Sequence, residues 1–185
     1  MRLKPDYAEA HTKYGNLLVL QGDLDSAMPH YLSAIQSMPE YEEPQYCLAG
    51  LLARQKKFSE AVAHYQAAIK LKTNDVSALN DLAWILATED DPKVHDPAQA
   101  VRLAQRACEL TKNQMPGYLD TLAAAYSESG NFSAATEAIE KAVAAARAAG
   151  QERLAEKIGG RLNFYRKNIS YRAIARSLTA APPQP

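Results

Sequence analysis

Four histidines, two cysteines, one tryptophan and one acidic cluster are the residues of this 185-residue chain whose types suit chemistry. A nucleophile, base or metal needs neighbours that hold and activate it. His30 and His64 stand 34 residues apart, the spacing of an internal repeat described below, so they read as one structural position used twice and not as catalytic groups. His11 sits early in its helix and reads as packing. Cys47 and Cys108 belong to no CxxC and no Cys/His cluster, which excludes zinc-type ligand spacing and a disulfide framework. Glu89, Asp90, Asp91 and Asp96 gather around His95, and oxygen-rich loops are what hard cations take. This segment has no EF-hand spacing and no glycine, and its Asp-Pro steps have turn and capping reasons. It is read as an inserted loop or lengthened helix end without a tight metal site. No catalytic residue, cofactor or metal ligand is assigned.

The elements that would position any binding residue have to be soluble and packed. Lys and Arg total 21, equal to Asp and Glu, for a net charge of zero, and 47% of residues are hydrophobic. A neutral chain lacks the electrostatic pull that nucleic-acid binding uses, so no nucleic acid is expected. The stretch from Met1 to Ala10 has no apolar run after its charges, and no apolar run nears the length that spans a bilayer. No membrane role is expected, and the sequence carries no address, leaving the cytoplasm as the default.

Self-similarity organises the chain. Tyr14–Ile35 aligns without gaps on Leu48–Ile69, an offset of 34, with Leu18/Leu52, Leu24/Phe58, Ala27/Ala61, Tyr31/Tyr65 and Ala34/Ala68 in register. A third copy starts at Leu82 and resumes at Ala100, Ala104 and Ala107 after five extra residues, and a fourth runs from Leu122 to Ala142. Each copy splits into two segments with apolar residues at spacings of three and four, the mark of amphipathic helices. Gly22 and Gly130 sit where the first helix must turn, with Ser59 and Ser133 expected as N-caps. Asp6 with Glu9, and Asp96 with Pro97 and Gln99, read as capped helix starts.

A large residue followed by a small one (Tyr14-Gly15, Leu48-Ala49, Leu82-Ala83, Leu122-Ala123), then an aromatic and two spaced alanines, resembles the tetratricopeptide repeat family. The resemblance implies an all-α, right-handed superhelical solenoid of antiparallel helix pairs with a C-terminal capping helix. Its expected segments are repeats at 8–41, 42–75, 76–114 (with the insertion) and 115–149. A capping helix at 150–168 carries Leu154, Ile158, Leu162 and Tyr165 on one face, and a partly disordered tail covers 169–185. Residues 1–7 resemble the tail of a preceding repeat. Nine helices and no strand are expected.

In this family the first helices line a concave groove, which transfers onto Lys13, Asn16, Tyr46, Cys47, Asn80, Asp81, Trp84 and Asp120 as partner-binding residues. Glu9, Glu43, Arg54 and Glu128 share that surface, where five acids outnumber two bases. The resemblance implies a non-catalytic protein-interaction module taking a protein or peptide partner, and the acidic surface adds basic and apolar residues to that partner. Trp84 is either its large apolar anchor or packs beneath the inserted loop at Val94. The asparagine and lysine pattern of chaperone-tail clamps is met only at Asn16. A rival reading is a self-associating spacer that forms a homo-oligomer through an exposed first repeat around Tyr14 and Leu18. A weaker resemblance, to terminal repeat arrays of large bacterial proteins, adds the alternative of an accessory region in a longer, glycosyltransferase-type chain.

Overall fold

The computed structural model describes residues 5–179, and every regular element among them is a helix. The chain divides into two compact units, Met1–Ala78 and Leu79–Pro185. In the first, α1 (Pro5–Leu20) pairs with α2 (Leu24–Ser37) and α3 (Glu42–Arg54) pairs with α4 (Phe58–Leu71), while α2 and α1 both touch α3. Ala27, Ala34, Ala61 and Ala68 are wholly buried, because only a methyl group lets two helix axes approach this closely. Tyr31 and Tyr65 fill the remaining space. A Cβ on Gly15 would lie 2.7 Å from the Tyr31 ring, so the small residue of the repeat pattern is a steric requirement.

Gly22 takes φ +85° at the α1–α2 turn, and Asp23 caps α2 by accepting from the Ser26 amide at 3.1 Å. The second copy makes the same turn with Lys56 at φ +59°, where an L side chain is strained. Lys57 precedes α4 without a side-chain cap. Ser59 therefore lies inside α4, not at its cap as expected, and Ser133 likewise lies inside α8 (Phe132–Ala148), which Asn131 caps. Leu18 is buried at 8% exposure, because it packs inward in its pair. The exposed apolar side chains of α1 are instead Tyr7, Tyr14, Leu17 and Leu20. The side chain of Asp6 lies outside the described residues.

The second unit begins within α5 (Val76–Thr88) and continues through α6 (Pro97–Leu110), α7 (Pro116–Glu128) and α8. The inserted segment folds onto α5: the Asp96 amide donates to the Leu86 carbonyl at 3.0 Å, and Val94 is buried. Asp96 then caps α6 by accepting from the Gln99 amide at 2.9 Å, with Pro97 at the first helical position. Ile139, Leu119, Ile158 and Tyr165 centre the core of this unit.

The C-terminal region departs from expectation twice. The capping segment is two short helices, α9 (Glu152–Gly159) and α10 (Leu162–Arg166), because Gly159 and Gly160 weaken a continuous helix. Residues 171–179, expected as tail, form α11 (Tyr171–Thr179), so the described helices outnumber the nine expected. The expected disorder at 180–185 lies outside the described residues. No described helix is long and apolar enough to cross a membrane.

Candidate functional site on the first-helix faces

In the first unit, α1 carries Lys13 and Asn16, and α3, which touches it, carries Tyr46 and Cys47. Asn16 is fixed from behind: the buried Tyr31 hydroxyl donates to its Oδ1 at 2.8 Å. The Cys47 thiol hydrogen-bonds within the same group, to Asn16 and Tyr31, and burial with the nearby Glu43 charge pushes its pKa up to about 12. A thiol so protonated is no nucleophile at neutral pH. Tyr46 is half-buried with its ring edge-on to Tyr65, centroids 5.8 Å apart. Lys13 pairs with Glu9 one turn away at 2.5 Å, and that bond holds the Glu9 carboxyl below the usual range. The Tyr41 hydroxyl donates to the Glu43 carboxylate.

The histidines act between helices of a pair. His11 Nδ1 meets His30 Nδ1 at 2.7 Å, and His64 Nδ1 meets Gln45 Oε1 at the same distance and the same 19-residue separation. In the first pair one ring donates as a neutral tautomer and the other accepts. Burial, then the His30 charge, lowers the pKa of His11, and burial lowers that of His64. Tyr7 and Tyr14 stack edge-on against these rings around a hollow of about 190 Å³.

In the second unit α5 and α7 carry Asn80, Asp81, Trp84 and Asp120, and here the C-terminal helices already engage the expected surface. Arg161, just before α10, pairs with Asp120, both side chains largely buried at 13% and 16% exposure. Burial pushes the Asp120 carboxyl above its ordinary value against the pull of Arg161. Trp84 meets Tyr171 of α11 edge-on, ring centroids 5.1 Å apart. The Arg161 guanidinium stands over the Tyr171 ring, 5.3 Å from its centroid. The Arg172 amide donates to Glu128 Oε1 at 2.7 Å and its Nε to Oε2 at 2.9 Å, leaving Glu128 only 4% exposed. The Asn80 amide donates to Asp81 at 3.2 Å, while its buried Oδ1 finds no donor among the described residues.

The acidic character expected of the surface is therefore largely answered within the chain: Glu9 by Lys13, Asp120 by Arg161, Glu128 by Arg172. Asp90 of the inserted loop is answered too, by Arg172 at 3.5 Å and Arg176 at 2.6 Å. Sequence reasoning missed Arg161, Tyr171, Arg172 and Arg176. The signal available was the run of aromatic and arginine residues from Tyr165 to Arg176 in a segment read as cap and tail. No group of three or more His, Cys, Asp or Glu among the described residues is placed to share a metal ion.

Among curated proteins, none matches this sequence. Among solved structures, MamA from Desulfovibrio magneticus RS-1 (residues 41 to the end) is similar over 90% of this chain and 98% of its own, at 15% identity and TM-score 0.68. YrrB, described as a tetratricopeptide repeat protein with an unusual peptide-binding site, is similar over 92% and 91% at 15% identity and TM-score 0.61. PilW, a type IV pilus biogenesis factor, is similar over 94% and 79% at 15% identity and TM-score 0.63. These likenesses agree in the fold. Two tetratricopeptide repeat profiles match the sequence itself, one at residues 18–85 and one at 117–148, together more than half its length. With the helix pairs, the alanine contacts and the glycine-led turns described above, they establish that this chain belongs to the tetratricopeptide repeat family.

Proposed function

We propose that this chain is a non-catalytic protein-interaction module that holds a peptide or helix of a partner against its first-helix faces. Family and fold support an interaction module in general; the peptide site is our reading. The observation that carries it is the pair of adjoining helices α1 and α3, where Asn16 is locked by the core Tyr31 hydroxyl and Tyr46 stands half-buried against Tyr65. A polar side chain fixed before binding loses little entropy on recognition, and an adjacent aromatic supplies apolar area. The similar fold of YrrB, whose description includes a peptide-binding site, favours the same use here.

Pull-down with the full chain and peptide mapping would supply the partner segment, and titration of that segment tests the site. Tyr46→Ala should cost roughly 2 kcal/mol of binding, about thirtyfold in affinity, and Asn16→Ala a smaller loss. A Tyr46→Ala protein with unchanged melting temperature and unchanged affinity would move the site off this face. A second reading, self-association through α1, rests on the exposed Tyr7, Tyr14, Leu17 and Leu20. Concentration-dependent sedimentation abolished by Tyr14→Ser with Leu17→Ser supports it, and a monomer at all concentrations ends it.

A further inference from the structure

The α5–α7 face of the second unit receives a helix from its own chain, and the contacts are those of a recognised ligand. The first backbone donors of a helix have no partner within it, and they carry its positive dipole end. Two such donors of α11 are met by side chains of α7: the Tyr171 amide by Ser127 Oγ at 3.0 Å and the Arg172 amide by Glu128 Oε1 at 2.7 Å. The Arg172 side chain returns to Glu128 and reaches the Glu89 carbonyl at 3.2 Å. One turn on, Arg176 takes Asp90 at 2.6 Å. Tyr171 lies against Trp84. Recognition is thus an aromatic–arginine pair at a helix start, followed by a second arginine four residues later.

The same helix is weakly embedded. Of its nine residues only Ile174 is buried, while Leu178 is 78% exposed and the Arg176–Asp90 pair faces solvent. Isolated helices this short are marginal in water, so α11 exists as a helix through the face it sits on.

We propose that the α5–α7 face is a docking site for a partner helix that opens on an aromatic–arginine pair and carries a second arginine one turn on, and that α11 is its exchangeable resident. This rests on the reading of the first-helix faces as working surfaces. Glu128, Ser127 and Asp90 select the arginines and the helix start, and Trp84 selects the aromatic. The resident helix competes with an incoming one at an effective concentration of about millimolar, set by its short connection to α10. A partner must therefore exceed the resident's contacts or arrive when they are weakened, which sets a threshold on binding.

The test uses a labelled synthetic peptide of residues 168–179 with the 185-residue chain. The parent should bind it weakly. Arg172→Glu with Arg176→Glu in the chain, which turns the resident's attraction for Glu128 and Asp90 into repulsion, should bind the same peptide about tenfold more tightly. Adding Glu128→Ala should abolish that gain, because it removes the acceptor of the peptide's arginine without giving the substituted resident helix an opposite charge to pair with. Emission from Trp84, the only tryptophan, should shift to the red in the released chain and return on peptide binding. Should the doubly substituted chain lose its melting transition, Tyr171→Ala serves as the releasing variant. Equal peptide affinity for parent and folded released chain, or no binding to the released chain at millimolar peptide, overturns the proposal and leaves α11 as a fixed cap. A parent dimer dissolved by Glu128→Arg overturns it in favour of a second copy's helix. None of these outcomes touches Tyr46 and Asn16, so failure here is distinct from failure of the peptide site on α1 and α3.

Discussion

Removing the Asp120 carboxylate separates two roles for a groove residue that is both acidic and largely buried. Its partner Arg161 is 13% exposed and Asp120 itself 16%, so Asp120→Ala would leave a guanidinium desolvated without a counter-charge. Breaking a buried pair from one side costs about 3–5 kcal/mol, and the residual exposure together with the Tyr171 ring 5.3 Å away places the expected loss at about 3 kcal/mol. Asp120→Asn keeps an acceptor and should cost roughly half as much. Replacing both partners with apolar residues, Asp120→Leu with Arg161→Met, should recover most of the loss, because neither charge is then desolvated. Urea unfolding can be followed by the emission of Trp84, which lies in the second unit with this pair. With a slope of about 2 kcal/mol per M, Asp120→Ala should lower the midpoint by about 1.5 M. A loss below about 1 kcal/mol, or a double variant no better than Asp120→Ala, would refute the claim that this carboxylate is structural and return it to the pool of ligand-binding acids.

Lys56→Gly with Lys57→Asp copies the Gly22-Asp23 turn into the second repeat and relieves Lys56 of its φ of +59°. It should stabilise the first unit by about 1.5 kcal/mol, split between backbone and cap, and an unchanged thermal midpoint by circular dichroism would contradict it. Gly15→Ala places a methyl 2.7 Å from the Tyr31 ring and should cost about 1–3 kcal/mol, measured by the same melt, while loosening Asn16. Cys47, with its pKa pushed up to about 12, should resist alkylation by iodoacetamide at pH 8 until the chain is unfolded; labelling at the rate of a free thiol would show the site open. Hydrogen bonding to Arg176 holds the Asp90 carboxyl below its ordinary range, with the Arg176 and Arg172 charges and that of His95 acting in the same direction. A carboxyl lowered in the fold stabilises above its unfolded value and loses that contribution as pH falls through the folded one. Amide protection in α11 should accordingly hold from pH 8 to 5 and fall away below about pH 4, and protection that persists to pH 2 would exclude Asp90 as an anchor.

The repeat register was legible in the sequence because the same contact recurs in every copy. Ala27, Ala61, Ala100 and Ala135 are each buried at 0% exposure, and a position that tolerates only a small residue prints its period directly into the chain. The turns at Gly22 and Gly130 were legible for the same reason, since positive φ selects glycine. Lys56 was not, because the third dimension forces that turn on a residue whose type argues against it. The histidine positions were readable as a repeated feature, but the bonds from His30 to His11 and from His64 to Gln45 required the helices to be paired. Tertiary structure alone decided the fate of the second unit's face. α11 is held by residues 44 and 86 positions away, Glu128 and Asp90, and nine residues with one buried side chain give a periodicity reading almost nothing to detect. An acid's charge can be counted in a sequence. Whether that charge faces a partner or an arginine of its own chain depends on which elements the fold brings within hydrogen-bonding distance, and spacing along the chain carries no record of it.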